Sequence, residues 1–395
     1  MKLRIPFDIL INNLDYVSTV VEDKLLDDSM RNIIFKLSER GVSLIGYNSI
    51  AICKTHLQEG DYRVEFGEGD LKTSEEGEVM YIQVKSKELN NFLSTFKSLN
   101  KTKPSDVLFE TINAKIRLTV FEEPVDASDT HLSQPSVWVY DNINVKENVL
   151  KEINQKIEEG GQSLQSLDIL LYLTTLLPLL SDEGGNSLPS KMHFSKDYVY
   201  VMPKMFATLF TNVLPEAFQD VVLSYSALNF LKKVLDHNDV VSVNKTATHV
   251  TLVTDTSEAL LRYTTKMPDQ KVYQNAVKKD NGVGIDKLYL KDVLKRLSIS
   301  NESITITIKA NEEKMEVKNS KFNQVIPLTQ VKGMEGLGSV VFKLTPEILN
   351  KAVIGDNTGA FPDELFLYVV PQQTSGYTLV FADSTSSWFS IISVR

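Results

Sequence analysis

One local pattern recurs along this chain: an alternating strand, then Ser, Thr or Asp, then an amphipathic helix, then two or three more alternating strands. Its clearest openings are MYIQVKSKELNNFLSTF from Met80, VVLSYSALNFLKKVL from Val221, VGIDKLYLKDVLKRL from Val283 and VVFKLTPEILNKAV from Val340. Each runs a period-2 strand into an expected N-cap (Ser86, Ser224, Asp286, Thr345), followed by apolar residues at helical spacing such as Leu89, Phe92, Leu93 and Phe96. Thr345-Pro346-Glu347 is the strongest helix start, because proline is favoured at the first helical position. A first copy spans residues 1–66, with a helix expected from about Asp8 to Glu22. Another opens at Val137 and carries an extra helical stretch, Val145 to Glu159, before the apolar one.

Six such copies, at a spacing of roughly 45 to 70 residues, point to internal duplication rather than to chance succession of strands and helices. Two polar, proline-bearing stretches, 122–136 and 266–282, divide them into three pairs. The expected architecture is therefore α+β, with domains at 1–125, 136–267 and 280–395. A chain of 395 residues supports that number, since domains usually take about 100–200 residues each.

The chain carries 42 Lys plus Arg against 51 Asp plus Glu, a net charge of -9, so it repels nucleic acid unless its cations are sorted onto one surface. Sorting is visible. Lys85, Lys87, Lys97, Lys101 and Lys103 stand against Glu88 alone, and Lys287, Lys291, Lys295 and Arg296 against Asp292. Lys232 and Lys233 lie on a third helical stretch and Lys351 on a fourth, whereas the first, with Asp8, Asp15, Glu22 and Asp23, does not join the trend. Lys24 follows that first helix. The competing reading is that these lysines simply occupy solvated helix faces.

Catalytic and metal signatures are not evident. His56, His131, His193, His237 and His249 are scattered without ligand spacing. Cys53 sits in an alternating strand and reads as a small buried hydrophobe rather than a nucleophile. Gly333, Gly336 and Gly338 precede a strand and lack the Lys-Ser/Thr of a phosphate loop. A single cysteine and the opening MKLRIPFDIL lead us to expect a reducing cytoplasm, and the apolar run Ile169 to Leu180 is too short to span a bilayer, so no membrane partner is expected.

Three domains of doubled repeats in an acidic chain of this length resemble the bacterial-type DNA polymerase sliding clamp, the beta clamp, over nearly the whole sequence. In that family six repeats form a crescent and two crescents close head to tail into a ring. Antiparallel sheets form its outer wall, and helices line the hole that admits duplex DNA. The segment Met267-Pro268-Asp269-Gln270-Lys271-Val272 is similar, offset by one residue, to the family's aromatic-Pro-Asp-Tyr-Arg-Arg-Val linker. The terminal Ser390-Ile391-Ile392-Ser393-Val394-Arg395 resembles its apolar C-terminal strand. Where the family has Thr-Asp-Gly-His-Arg, this chain reads Val201-Met202-Pro203-Lys204-Met205-Phe206. That departure and the long third repeat suit a divergent, phage-encoded member acting in the host cytoplasm.

The resemblance implies a DNA polymerase processivity factor, not an enzyme, with no cofactor and no metal. Its expected partners are duplex DNA without sequence preference, a second copy in a head-to-tail homodimer, and a DNA polymerase and clamp loader that dock through short peptide motifs. Expected phosphate contacts are Lys24, Lys97, Lys101, Lys103, Lys232, Lys233, Lys291, Lys295, Arg296 and Lys351. Expected walls of the peptide pocket are Met267, Pro268, Val272, Ile391, Ile392 and Val394, with Leu188 and Met192 opposite. Two other classes stay open: a scaffold of the same fold that binds only proteins, and a hydrolase with a site assembled from scattered residues.

Overall fold

The structure, a computed structural model, describes residues 1–21, 28–74, 77–97, 102–112, 115–124, 135–155, 161–180, 191–196, 198–201, 206–211, 214–236, 238–265, 280–299, 302–334, 338–353, 363–372, 376–384 and 388–394. Its helices are α1 (Phe7–Ser18), α2 (Ser86–Ser94), α3 (Glu147–Ile153), α4 (Leu167–Leu176), α5 (Tyr225–Asp236), α6 (Lys287–Leu297) and α7 (Pro346–Ala352). The chain forms two compact units, Met1–Ser166 with Asn229–Tyr263, and Leu167–Leu228 with Thr264–Arg395.

The first unit contains two antiparallel sheets. One has five strands in the order Ser136–Asp141, Lys115–Pro124, Thr102–Ile112, Lys2–Pro6, Arg63–Glu65. The other has nine, in which Ser257–Arg262 pairs with Ala51–His56 and so joins strands far apart in sequence into one ladder. Phe35 from the second sheet meets Phe109 from the first at 5.0 Å between ring centres. α1 buries Phe7, Leu10, Leu14 and Val17, the i, i+3, i+7 face that its sequence presents. It ends at Ser18 rather than near Glu22, where Thr19, Val20 and Val21 bring β-branched side chains that helices disfavour. The helix lies so close to the sheet that a Cβ at Gly46 would stand 2.2 Å from the Val17 carbonyl oxygen.

Two expectations change here. The strand at Ser136–Asp141, expected to open the third repeat, pairs along its length with Lys115–Pro124 and becomes the edge of the five-stranded sheet. Its inward Trp138 stacks on Phe92 of α2 at 5.4 Å, which gives this strand an aromatic anchor in the first unit. The third repeat's own first strand is Gln162–Gln165, which pairs with Val240–Lys245.

The extra helical stretch is the short α3. Its Val149 and Ile153 pack with Ile34, Ile45, Tyr47, Ile52 and Leu260. Residues alternate across a strand, and Gly46 faces α1, so Ile45 and Tyr47 must face the other way. α3 therefore covers the sheet face opposite α1, across the seam between Ala51–His56 and Ser257–Arg262. Glu152 pins it there through Arg262 at 3.3 Å.

The second unit is built on a continuous run of twelve strands, in which Phe206–Thr211 pairs with the C-terminal strand Trp388–Val394. α6 and α7 pack on each other and on strands of this unit. Asp286 caps α6, its carboxylate accepting from the Tyr289 amide at 2.8 Å, and Thr345 caps α7 before Pro346, accepting from Ile348 at 3.3 Å. Ser224 accepts from the Ala227 amide at 3.4 Å ahead of α5. Ser86 departs from its expected role: it is the first residue of α2, it is buried, and its hydroxyl accepts from Asn90 instead.

Candidate nucleic-acid interface and partner site

The ten expected phosphate contacts do not share one environment. Lys24 and Lys101 lie outside the described residues. Lys97 follows α2 in a turn and Lys103 lies in a strand, so neither is on a helix. Lys97 reaches the Asp15 carboxylate at 3.8 Å and Lys103 that of Asp8 at 3.9 Å. Lys233 donates to the carbonyl oxygen of Asp15, and partial burial holds its ammonium below the usual lysine range, with Asp15 pulling the other way. The acidic first helix, which stood apart in the sequence, is thus the counter-charge of these lysines. Lys232 bonds Asp236 one turn on at 2.5 Å, and Lys351 bonds Glu347 at 2.8 Å.

α6 differs. Its apolar face, Leu290, Val293, Leu294 and Leu297, is buried, and its solvent face carries Lys295 and Arg296 in the last turn, where cations also meet the negative helix end favourably. Lys295 is 79% exposed and pairs with Asp292 at 3.7 Å. An exposed pair of that length is worth about 0–1 kcal/mol and is screened by salt, so it gives way readily to a phosphate. Lys291 sits half-buried one turn earlier.

The expected peptide pocket is reached by four of its eight residues, because Leu188, Met267, Pro268 and Val272 lie outside the described residues. Of the other four, Ile391, Ile392 and Val394, expected on one wall opposite Met192, do not share a sheet face. Backbone register runs from Met192 to Val201, from Val201 to Thr208 and from Thr208 to Ser390, so Met192 shares the sheet face of Ser390 and Ile392, with two strands between. Ile391 points to the opposite face, where it packs with Tyr368, Val380 and Ala382 under Phe366 and Phe389. Sequence alternation alone could have separated Ile391 from Ile392. The intervening strands become visible only with the sheet order.

Val394 is 6% exposed and pairs with Tyr377, and Ser393 pairs with Thr378. Deleting Ser393 to Arg395 therefore removes ladder rungs and a buried valine, and we expect it to lower stability by about 2 kcal/mol. A thermal melt that does not move would place this end outside the core.

Cys53 is fully buried, and burial pushes its thiol well up. His131 and His237 lie outside the described residues, and no group of His, Cys, Asp or Glu among those described could hold a metal ion. No described helix is long and apolar enough to cross a membrane. One hydroxyl–imidazole–carboxylate chain does exist: Ser43 Oγ to His56 Nδ1 at 2.9 Å, and His56 Nε2 to Glu258 at 3.5 Å. Ser43 and His56 are direct cross-strand partners, and Lys54 shares the carboxylate at 3.4 Å. Acyl transfer also needs aligned N–H donors for the oxyanion, and central strands commit theirs to the ladder.

This arrangement of sheets and helices is that of the sliding clamps. The chain is similar in structure to the beta chain of DNA polymerase III from Streptococcus pneumoniae, with a TM-score of 0.70 and 14% identity over 100% of this chain and 99% of that one. It is similar to the DNA polymerase sliding clamp of Bacillus subtilis, with a TM-score of 0.69, 15% identity, and coverage of 100% and 99%. The Helicobacter pylori beta clamp, solved bound to a DNA ligase peptide, gives a TM-score of 0.68 and 11% identity over 100% of both chains. The sequence matches no protein-family model and no curated protein. Likeness at these identities establishes the fold, and the chain has the sliding-clamp fold from end to end.

Proposed function

We propose that this chain is a DNA polymerase processivity factor, a ring that encircles duplex DNA and tethers a polymerase through nonspecific phosphate contacts. The observation that carries this reading is the full-length clamp fold. The exposed cations of α6 support it, since phosphate contacts hold a protein on DNA without reading bases and leave it free to slide. Domains at 1–125, 136–267 and 280–395 would supply the six repeats, and the ring acts in the cytoplasm, that of a host if the chain is phage-encoded. The reading assigns no catalytic step. Its test is topological: protein loaded on nicked circular DNA should survive a high-salt wash and be lost when the circle is cut. Equal loss from both forms would overturn encirclement.

The ring would close as a head-to-tail homodimer. A heterologous contact needs two different surfaces, and each unit offers an edge strand with outward apolar residues. Val137 and Val139 on Ser136–Asp141 are 46% and 51% exposed. Val341 on the edge strand Ser339–Leu344 is 49% exposed, and Leu288 on α6 is 56% exposed. Native mass should be about twice 44.5 kDa, and Leu288→Asp should halve it without unfolding the chain. A wild-type particle of monomer mass at micromolar concentration would sink the dimer and leave the fold intact.

Peptide partners, the polymerase and loader among them, would dock on the face holding Ile391, where Phe366 and Phe389 remain partly exposed. The ligase peptide bound by the Helicobacter pylori clamp supports this mode of recruitment.

A further inference from the structure

In the first unit, on the α1 side of the nine-stranded sheet, α1 and α5 flank an open pocket of about 580 Å³. The residues that line it have polar side chains, among them Asn12, Asp15 and Tyr16 from α1, Thr55 from the sheet, Lys233 from α5, and Ser257. Thr55 lines it on the sheet side. It is 4% exposed, and its Oγ1 has no hydrogen-bond partner among the described residues. Such a hydroxyl is costly to leave unmade, so its retention beside a pocket points to a ligand that completes it. Beside it, the Tyr16 hydroxyl and Ser257 Oγ bond each other at 3.2 Å.

The charge in the pocket sets the ligand's sign. Lys233 is half-buried and bonds a backbone carbonyl, that of Asp15, rather than a carboxylate oxygen. The Asp15 carboxylate lies at the rim, 59% exposed, where Lys97 reaches it at 3.8 Å. The Asp15 carboxylate offsets part of the Lys233 charge, yet a half-buried ammonium whose hydrogen bond goes to a neutral acceptor is still stabilised by an entering anion, and clustered hydroxyl and amide donors suit a tetrahedral oxyanion.

We propose that this pocket is a phosphate-group site, with Lys233 supplying the charge and the Thr55 hydroxyl, turned toward the cavity about its Cα–Cβ bond, a hydrogen bond. The phosphate is either one of the DNA backbone or that of a free phosphoester. The first case rests on the clamp reading, and the second does not.

The test uses the full chain, titrated with sodium phosphate against sodium chloride at matched ionic strength, alongside Thr55→Val and Lys233→Met. Wild type should bind phosphate, and Lys233→Met should lose the response. Thr55→Val should weaken binding roughly tenfold, the usual effect of losing a hydrogen bond to a charged group. The same variant without ligand should melt roughly 2–4 °C higher, because it replaces an unsatisfied buried hydroxyl with a methyl of similar shape. A phosphate bound loosely on the surface cannot sense a side chain as buried as Thr55. Equal affinity in Thr55→Val and wild type, or no wild-type heat beyond chloride, would therefore overturn the site. A parallel titration with a short duplex separates the sources. If Thr55→Val weakens the duplex too, the phosphate is DNA's. If only free phosphate responds, the ligand is a phosphoester, and the site stands whatever becomes of encirclement.

Discussion

Reversing Lys295 and Arg296 together to glutamate is expected to remove most of the protein's hold on DNA while leaving its melting temperature unchanged. Both side chains project from the solvent face of α6, and the carboxylate that pairs with Lys295, that of Asp292, is itself exposed. Each phosphate contact contributes about 0.9 to the slope of log affinity against log salt, so losing two should flatten that slope by about 2. Exposed charges add little to stability, which keeps the comparison clean. Lys97→Glu makes the informative control. Lys97 faces Asp15 much as Lys295 faces Asp292, but it is less exposed, 46% against 79%, and the helix it faces also carries Asp8 opposite Lys103, so this cation has less charge to give to DNA. If Lys97→Glu weakens DNA retention as much as the α6 pair, the assignment of the main phosphate contacts to α6 is wrong.

Gly46→Ala should destabilise the first unit by about 3 kcal/mol, at the upper end of the usual cost of overpacking a core. The new methyl carbon would lie 2.2 Å from the Val17 carbonyl oxygen and 3.1 Å from its carbon, both backbone atoms of α1 that no rotamer change can move aside. Either the helix lifts or the strand Gly41–Tyr47 bends. Urea unfolding should show the loss as a lower midpoint with unchanged slope. Gly60, with nothing within 4 Å of a built Cβ but a φ of +103°, should cost only about 1 kcal/mol on replacement by alanine, from backbone strain alone. A Gly46→Ala midpoint shift no larger than that of Gly60→Ala would mean that α1 does not rest on the sheet as described.

Several features were readable in the residues. α6 and α7 begin where Asp286 and Thr345 signalled them, because a side chain that bonds the third amide of a helix acts within one turn and needs no distant partner. The strands Val221–Ser224, Gly282–Asp286 and Ser339–Leu344 fall where the alternation at Val221, Val283 and Val340 put them, since a two-residue period is also local. Cys53 is buried, as its place in such a strand implied.

Other features required the assembled sheets. The sequence showed a strand at Ser136–Asp141 but not its partner, and the choice of Lys115–Pro124 depends on Trp138 finding Phe92. Lysines counted on stretches of chain looked alike until the fold set Asp8 and Asp15 of α1 against some of them, while among the described residues Lys295 at the end of α6 pairs with an exposed aspartate of its own helix. Adjacent Ile391 and Ile392 looked like one apolar wall, and the sheet sends them to opposite sides. Local order of strand, cap and helix was thus determined by the sequence itself, since propensity and periodicity act over a few residues. Which edges pair, which charges are neutralised and which hydroxyl is left without a partner beside a pocket were decided only by tertiary structure, because those depend on groups tens to hundreds of residues apart coming within a few ångströms.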